Sequence, residues 1–473
     1  MALAPNGSRI TAFAGAASIA VALGGTLGVS VSIGVSLAYN LIDGEVRAEL
    51  AGADITAPGG VTVVAKSAAD IQVFSLAASV SVAVGGTAGV GVSGAGASAL
   101  NIILADTYAA VVDSAIQTTG DVVIDARSSS HIDATIISAS IGVGVGGTVG
   151  IGASIGVSIA RNYLGYDPYA YSGSVDYVQG VDSPSKLVTG NTVKLGPNSG
   201  ARANEVYEYV GSKTLTQEDR DKDGKMDDLI LGQDFSDKDN WKQLITASAN
   251  EIKAYVSGSS ITISGDVARN LKITALNSQL IESTVFAGSV AASGGGTVGA
   301  ALSGAGASAT NRINTDTQAY IFNSTGTGMV VDGDIIIQAN NSSTIESSVL
   351  AVSVSAAFGT FAGSVSIGIS IAVNEIAGST KAYADRVLLD AGGDILITAH
   401  DTPSIDSSST AVSVAISGGI GFAIAGGGAV SFNTITTQVV AGIDRTPAGA
   451  VACGGERKRL DRSACQGQPD HSG

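Results

Sequence analysis

The chain is short of charge. Asp, Glu, Lys and Arg make up 14% of its 473 residues, against roughly 25% in an ordinary soluble domain. Aromatics are 5% with a single Trp, and there are only 8 Pro and 2 Cys. Each shortage excludes something. Two Cys cannot frame a disulfide scaffold. Scarce Pro, and Gly without a three-residue period, exclude a collagen-like chain. The few charges are unbalanced, 25 basic against 41 acidic for a net −16, which speaks against a nucleic-acid partner. With 45% hydrophobic residues, the chain is too apolar for a disordered acidic tail.

What is abundant is Gly, and it recurs in a pattern. Gly24-Gly25-Thr26-Leu27-Gly28 returns as Gly85-Gly86-Thr87-Ala88-Gly89, Gly146-Gly147-Thr148-Val149-Gly150 and Gly295-Gly296-Thr297-Val298-Gly299. Weaker copies start at Gly359 and Gly418. An Asn follows each at one fixed spacing: Asn40, Asn101, Asn162, Asn311, Asn374 and Asn433. These mark six repeats of about 61 residues, the third interrupted by a long insertion.

Each repeat opens with an uncharged run: 10–42, 71–105, 134–160, 283–311, 347–374 and 407–443. Within it large and small residues alternate, as in Leu27, Val29, Val31, Ile33, Val35 and Leu37 against Gly28, Ser30, Ser32, Gly34 and Ser36. Period two predicts β-strand. We read two long strands joined at a tight Gly-Gly-Thr turn that needs positive φ. A more polar half follows, with Gly120-Asp121, Gly333-Asp334 and Gly393-Asp394 before short apolar strands. One such unit cannot cover its own faces, whereas stacked units can. The fold expected is therefore all-β, a parallel β-helix-like β-solenoid. The Val/Ile/Leu face is expected to fill its interior, and the Ala/Gly/Ser face to admit a second sheet closely. The recurring Asn either forms an amide ladder from unit to unit or ends the strand in a left-handed turn.

The uncharged runs are long enough for transmembrane helices, but their period is wrong. A twelve-stranded membrane barrel is a rival reading, since the arms have the right length. Against it, the small face is not polar, aromatic girdles are missing, and the segments between hairpins are too long for turns. The expectation is a chain that does not span a membrane.

The insertion, 165–252, is charged, Tyr-rich and holds Trp241. It divides the chain into solenoid repeats at 1–164 and 253–444, a small module between them, and a tail at 445–473. The module's strand-like pieces are Asn191–Leu195, Val206–Gly211 and Asp234–Leu244. Between them runs Asp219-Arg220-Asp221-Lys222-Asp223-Gly224-Lys225-Met226-Asp227-Asp228. Carboxylates at loop positions 1, 3 and 5 with Gly at 6 suit a Ca2+ loop. Asp219, Asp221 and Asp223 supply the first three ligands, Lys225 its backbone carbonyl, and Asp227 position 9. Position 12 is Ile230, so the EF-hand Glu is missing, and Asp228 is the candidate to close the site. That arrangement resembles the shorter loops of thrombospondin type 3 and dockerin repeats. A solvated acidic turn is the alternative. Tyr163, Tyr166, Tyr169, Tyr171 and Tyr177 are either a contact surface for a glycan or protein, or packing of the module.

The V-x-V-x-G-G-T-x-G and G-D-V-x-I-x-A pieces resemble the repeats of giant bacterial surface proteins of the adhesin-like, filamentous-haemagglutinin-like group. The resemblance covers 8–444 and extends to a module found in such chains. It implies secretion, a β-solenoid and a place at the bacterial cell surface or matrix, with neighbouring repeats of the same parent chain as partners.

Ser8-Arg9-Ile10-Thr11-Ala12 matches Ser130-His131-Ile132-Asp133-Ala134, so the chain is expected to start inside a repeat and to be a fragment. Beyond Arg445 the register is lost. The tail, with Cys453 and Cys465, reads as wrong-frame sequence or a flexible end, disordered in either case. Catalytic constellations are not visible. His131, His400 and His471 are isolated in sequence, and the first two fall in polar links. Asp121, Asp266, Asp334 and Asp394 beside turn glycines suggest Asx-turns, or a row able to bind cations. We therefore expect a non-enzymatic structural or adhesive protein. The alternatives are a carbohydrate-active β-helix enzyme, marked by a carboxylate-lined cleft, and the membrane barrel.

Overall fold

The computed structural model describes residues 1–169, 173–196, 206–217, 228–235, 237–244, 249–324, 326–444 and 451–453. The repeat region is an all-β solenoid. Each coil has two long arms, a short strand and a third strand, as in Asp70–Gly85, Ala88–Val112, Ala115–Thr118 and Val122–Ser128. Every strand pairs in parallel with its equivalent in the next coil, without slippage over most of its length. Parallel pairing throughout the stack rules out the antiparallel barrel. Among the described residues no helix is long and apolar enough to cross a membrane. In the third coil the second arm is split into Val149–Leu164 and Asn250–Ser257, and the latter pairs with both neighbouring coils.

The two arms of a coil do not form a hairpin. They lie in separate layers, and the Gly-Gly-Thr tip carries the chain from one layer to the other. Of the tip glycines only Gly419, in the sixth coil, has the positive φ expected of them, at 108°; those of the first five coils do not. Space demands them instead: a Cβ on Gly86 would lie 2.0 Å from the Gly25 carbonyl oxygen, and one on Gly147 would lie 2.2 Å from that of Gly86. Left-handed backbone occurs at a different corner, where Gly52, Asp113, Gly258, Asn323 and Arg386 form one column with φ between 47° and 60°.

Below the recurring Asn, the coils enclose an ordinary core. The ends of the second arms, the short strands and the third strands surround Val63, Val111, Ile116, Ile124, Ile261, Ile273, Ile321, Ile337 and Leu389. We call this the body. Above the Asn, the two arms form a double-layered lamina whose packing is the reverse of that expected. Ser30, Ser32, Ser36, Ser79, Ser93, Ser140 and Ser154 are buried between the layers, while Ile19, Val21, Val31, Ile33 and Ile155 face outward, each more than half exposed.

The lamina's interior shows why the small face turns inward. A Cβ on Gly91 would fall 2.1 Å from the Val143 carbonyl oxygen, and one on Gly144 would fall 1.8 Å from that of Ile151. The layers therefore meet backbone against backbone, closer than a Val face permits. Many of the buried hydroxyls satisfy one another in a zigzag between layers: Ser154 donates to Ser140, Ser140 to Ser93, Ser93 to Ser79, Ser79 to Ser32 and Ser32 to Ser18, at 2.8–2.9 Å. A second chain runs Ser366 to Ser353 to Ser303 to Ser289. Buried hydroxyls without such partners would cost about 1–3 kcal/mol each.

The recurring Asn sits inside the second arm and forms the ladder, not a strand end. Each Nδ2 donates to the next Oδ1 at 2.7–2.8 Å, from Asn40 through Asn101, Asn162, Asn311 and Asn374 to Asn433. The expected loss of register after Arg445 needs correction as well. Val451–Cys453 is a strand that pairs in parallel with Leu389–Ala391; the rest of the tail lies outside the described residues.

Tyr166–Ser248 forms a separate compact unit. It contains a sheet built from Tyr177–Val178, Thr192–Lys194, Val206–Tyr209 and Trp241–Leu244. Its core holds Leu187, Val193, Tyr207, Tyr209, Ile230, Phe235 and Trp241.

Candidate functional site

Of the calcium-loop residues, Asp219, Asp221, Asp223, Lys225 and Asp227 lie outside the described residues. Asp228 is described. Its Oδ1 accepts the backbone N–H groups of Ile230, at 2.8 Å, and Leu231, at 3.0 Å. It thus caps the turn that carries Ile230 into the module core. Asp237 does similar work further on, accepting from the Asp239 N–H and the Asn240 side chain. Among the described residues no group of three or more His, Cys, Asp or Glu is placed to hold a metal ion.

The described tyrosines differ in exposure. Tyr163 is buried at the end of its arm, Tyr177 packs against the module core, and Tyr169 is exposed. Tyr166 is half-buried, and Tyr171 lies outside the described residues.

The turn aspartates are a structural column, and one member differs from expectation. Asn270, not Asp266, stands with Asp121, Asp334 and Asp394. Asp121 Oδ1 accepts the Asn270 N–H at 2.9 Å, Asn270 Oδ1 accepts that of Asp334, and Asp334 Oδ1 accepts that of Asp394, both at 2.8 Å. Each side chain therefore caps the backbone of the next coil rather than closing an Asx-turn of its own.

His131 is not isolated. Its Nδ1 lies 3.2 Å from Asp70 Oδ1 and its Nε2 lies 3.0 Å from Glu282 Oε2, so it bridges the coils on either side. Asp70 is also paired with Arg9 at 3.1 Å. His400 is exposed, as its place in a polar link suggests.

Stacking brings together two rows of carboxylates that are scattered along the chain. On the first arms, Asp133, Glu282, Glu346 and Asp406 occupy one register position in successive coils. Burial, then the neighbouring Glu282 charge, pushes the Asp133 carboxyl up from its ordinary range, while His131 opposes this. On the second arms the row is Glu45, Asp106, Glu251 and Asp316. Like charges directly opposite one another destabilise a sheet, and a second row offsets them. Arg47 pairs with Glu45 at 2.6 Å and lies over the Tyr108 ring; Lys253 pairs with Glu251 at 2.7 Å, and Tyr108 Oη donates to Glu251 at 2.5 Å.

Asp106 carries the largest perturbation among these carboxyls. Burial raises it to about 6, and the Glu251 charge adds to this, against a hydrogen bond from the Glu251 backbone N–H. Below this belt, further from the Asn ladder, Tyr255, Tyr320 and Tyr383 stack at 5.0 Å, ring on ring. These groups are engaged with each other across coils, which is what holding a register requires. The rows were legible in principle: Glu45 and Asp106 are one repeat apart, as are Glu346 and Asp406. No protein-family model, curated protein or solved structure matches the chain.

Proposed function

We propose that the chain is a non-enzymatic, extracellular structural or adhesive segment of a bacterial surface protein, with the inserted module as its calcium-stabilised decoration. The observation that carries this reading is the Asn ladder through all six coils. Side-chain ladders of this kind hold parallel coils in one register along a stack. The charge, tyrosine and turn-Asp columns add to the same task, so the polar chemistry of the repeats serves the stack. Among the described residues the arms of the first and sixth coils each pair on one side only, leaving edges that suit neighbouring repeats of the same parent chain. The module is the part whose composition differs and whose tyrosines include an exposed one, Tyr169, so it is the candidate contact for a surface glycan or protein.

Two experiments test the reading. Calorimetric titration of the full chain with Ca2+ should give a dissociation constant on the order of 10⁻⁴ to 10⁻³ M, lost in Asp221→Ala. Absence of calcium heat in the wild type overturns the calcium assignment. Glycan and matrix-protein arrays should show calcium-dependent capture of the full chain; no capture in saturating Ca2+ overturns the adhesive role.

A further inference from the structure

The lamina's second-arm face carries a pattern that the fold does not require. Three successive outward rows alternate large and small from coil to coil. Across the coils the first row reads Ile33, Gly94, Ile155, Gly304, Ile367, Gly426. The second reads Val35, Gly96, Val157, Gly306, Ile369, Gly428 in the same registers. The third reads Leu37, Ser98, Ile159, Ser308, Ile371, Val430, departing only in the sixth coil. Odd coils thus form ridges and even coils grooves. The first-arm face has no such alternation: its central row reads Ile19, Val80, Ile141, Val290, Val354, Val414.

The groove glycines are not there for internal packing. A Cβ on Gly96, Gly306, Gly426 or Gly428 would meet nothing within 4 Å, and one on Gly94 or Gly304 only the edge of a neighbouring Ile at 3.9–4.0 Å. Gly in a strand interior weakens it, and commonly marks where another chain approaches closely. The ridges stand clear: Ile155 is 60% exposed although it lies inside the stack.

We propose that this face packs on the same face of a second molecule, ridge into groove. Strands lie about 4.8 Å apart, so ridges recur about every 9.6 Å with a groove one strand wide between them. A two-fold axis parallel to the strands, between the third and fourth coils, sets the first coil over the sixth, the second over the fifth and the third over the fourth. In the first two rows every ridge then meets a groove, and in the third only Leu37 faces another large residue, Val430, so the pattern over these rows is self-complementary. Six strands by about eleven residues give a face of about 1,000 Å², above the roughly 800 Å² per partner of a stable interface. The face bears no charge from 27 to 38 or in the matching stretches of the other coils, 88–99, 149–160, 298–309, 361–372 and 420–431. Lipid would not need matched corrugation and would take both faces of the lamina alike.

Sedimentation velocity and thermal melting of the full chain, alone and with phosphatidylcholine vesicles, test this. The wild type should form a dimer. Gly96→Val with Gly306→Val fills two grooves and should weaken dimerisation at least tenfold, with the melting temperature of the dilute monomer unchanged or raised. If that variant does not fold, Ile155→Ala with Ile367→Ala should weaken dimerisation instead. A wild type that stays monomeric at ~100 µM, groove-filled or ridge-truncated variants that dimerise as the wild type does, or vesicle binding without dimerisation overturns the proposal.

Discussion

The body and the lamina are two parts of the same strands, and they bury opposite chemistry. Along Ala88–Val112 the inward residues run Gly89, Gly91, Ser93, Ala95, Ala97 and Ala99, then Asn101, then Ile103, Ala105, Thr107, Ala109 and Val111. The inward parity never changes; what it carries changes at the Asn. Below it the coil is a three-sided tube whose centre must be filled, and branched side chains fill it. Above it, past a first layer that still holds Ile136, Val285 and Val349, two sheets close on each other so that only small side chains fit and hydroxyls pair across the seam. The lamina is thus held by backbone proximity and hydrogen bonds, with its largest apolar residues left outside.

The sharpest way to break the comparison is to truncate the same residue type in both regions. Ile337 is fully buried in the body, and Ile337→Ala should cost about 2–5 kcal/mol. Ile367, about half exposed on the lamina, should cost below about 0.5 kcal/mol as Ile367→Ala in the monomer, as surface changes do. Denaturant melts of both variants at low protein concentration measure the difference.

Glycine provides the converse. Gly91→Ala puts a methyl into the Val143 carbonyl and should cost about 1–3 kcal/mol, as overpacking does. Gly96→Ala points into open space and should be neutral or stabilise by up to about 1 kcal/mol. Thermal melts of the pair would distinguish a tight interior from an open exterior.

The boundary can be tested at Asn162, which donates to Asn311 and accepts from Asn101. Asn162→Ala leaves a buried donor and a buried acceptor without partners and should cost about 1–3 kcal/mol. Hydrogen exchange should then speed up in the second and fourth coils around Asn101 and Asn311.

The smallest effect expected is electrostatic. Asp106 has its carboxyl raised to about 6 by burial, so the folded state favours its protonated form. The resulting penalty is absent below pH about 4 and grows as pH rises through 6. Asp106→Asn should therefore stabilise the chain by about 1–2 kcal/mol at pH 8, and that gain should fade toward pH 4 in melts at the two values.

The stack itself was readable from the 61-residue period, the strand alternation and the aligned Asn. The inside-out lamina was not inferred, because neither parity of an uncharged run names the wet side by itself. A signal did exist at the base of the arms. Arg9, His131, Glu282 and Glu346 stand on the same parity as Ile19, Ile141, Val290 and Val354 in the same unbroken strands. Since a strand alternates strictly, charges at its base point the way the large residues above them point. The turn column was misread at Asp266 for a related reason: adjacency to Gly was followed instead of the position just before the third strand, which Asn270 holds. The carboxylate rows were missed because their members are a full repeat apart and meet only on stacking.

The central claim is that the lamina hides its serines and exposes its branched residues. Ser140 and Ile141 are neighbours in the first arm on opposite faces of the strand, 1% and 40% exposed respectively. With Cys453 and Cys465 replaced by Ser, the direct measurement is the rate of maleimide labelling of Ser140→Cys against Ile141→Cys in the folded chain. The structure predicts rapid labelling at position 141 and protection at 140 until unfolding. Rapid labelling at 140 with protection at 141 would contradict it.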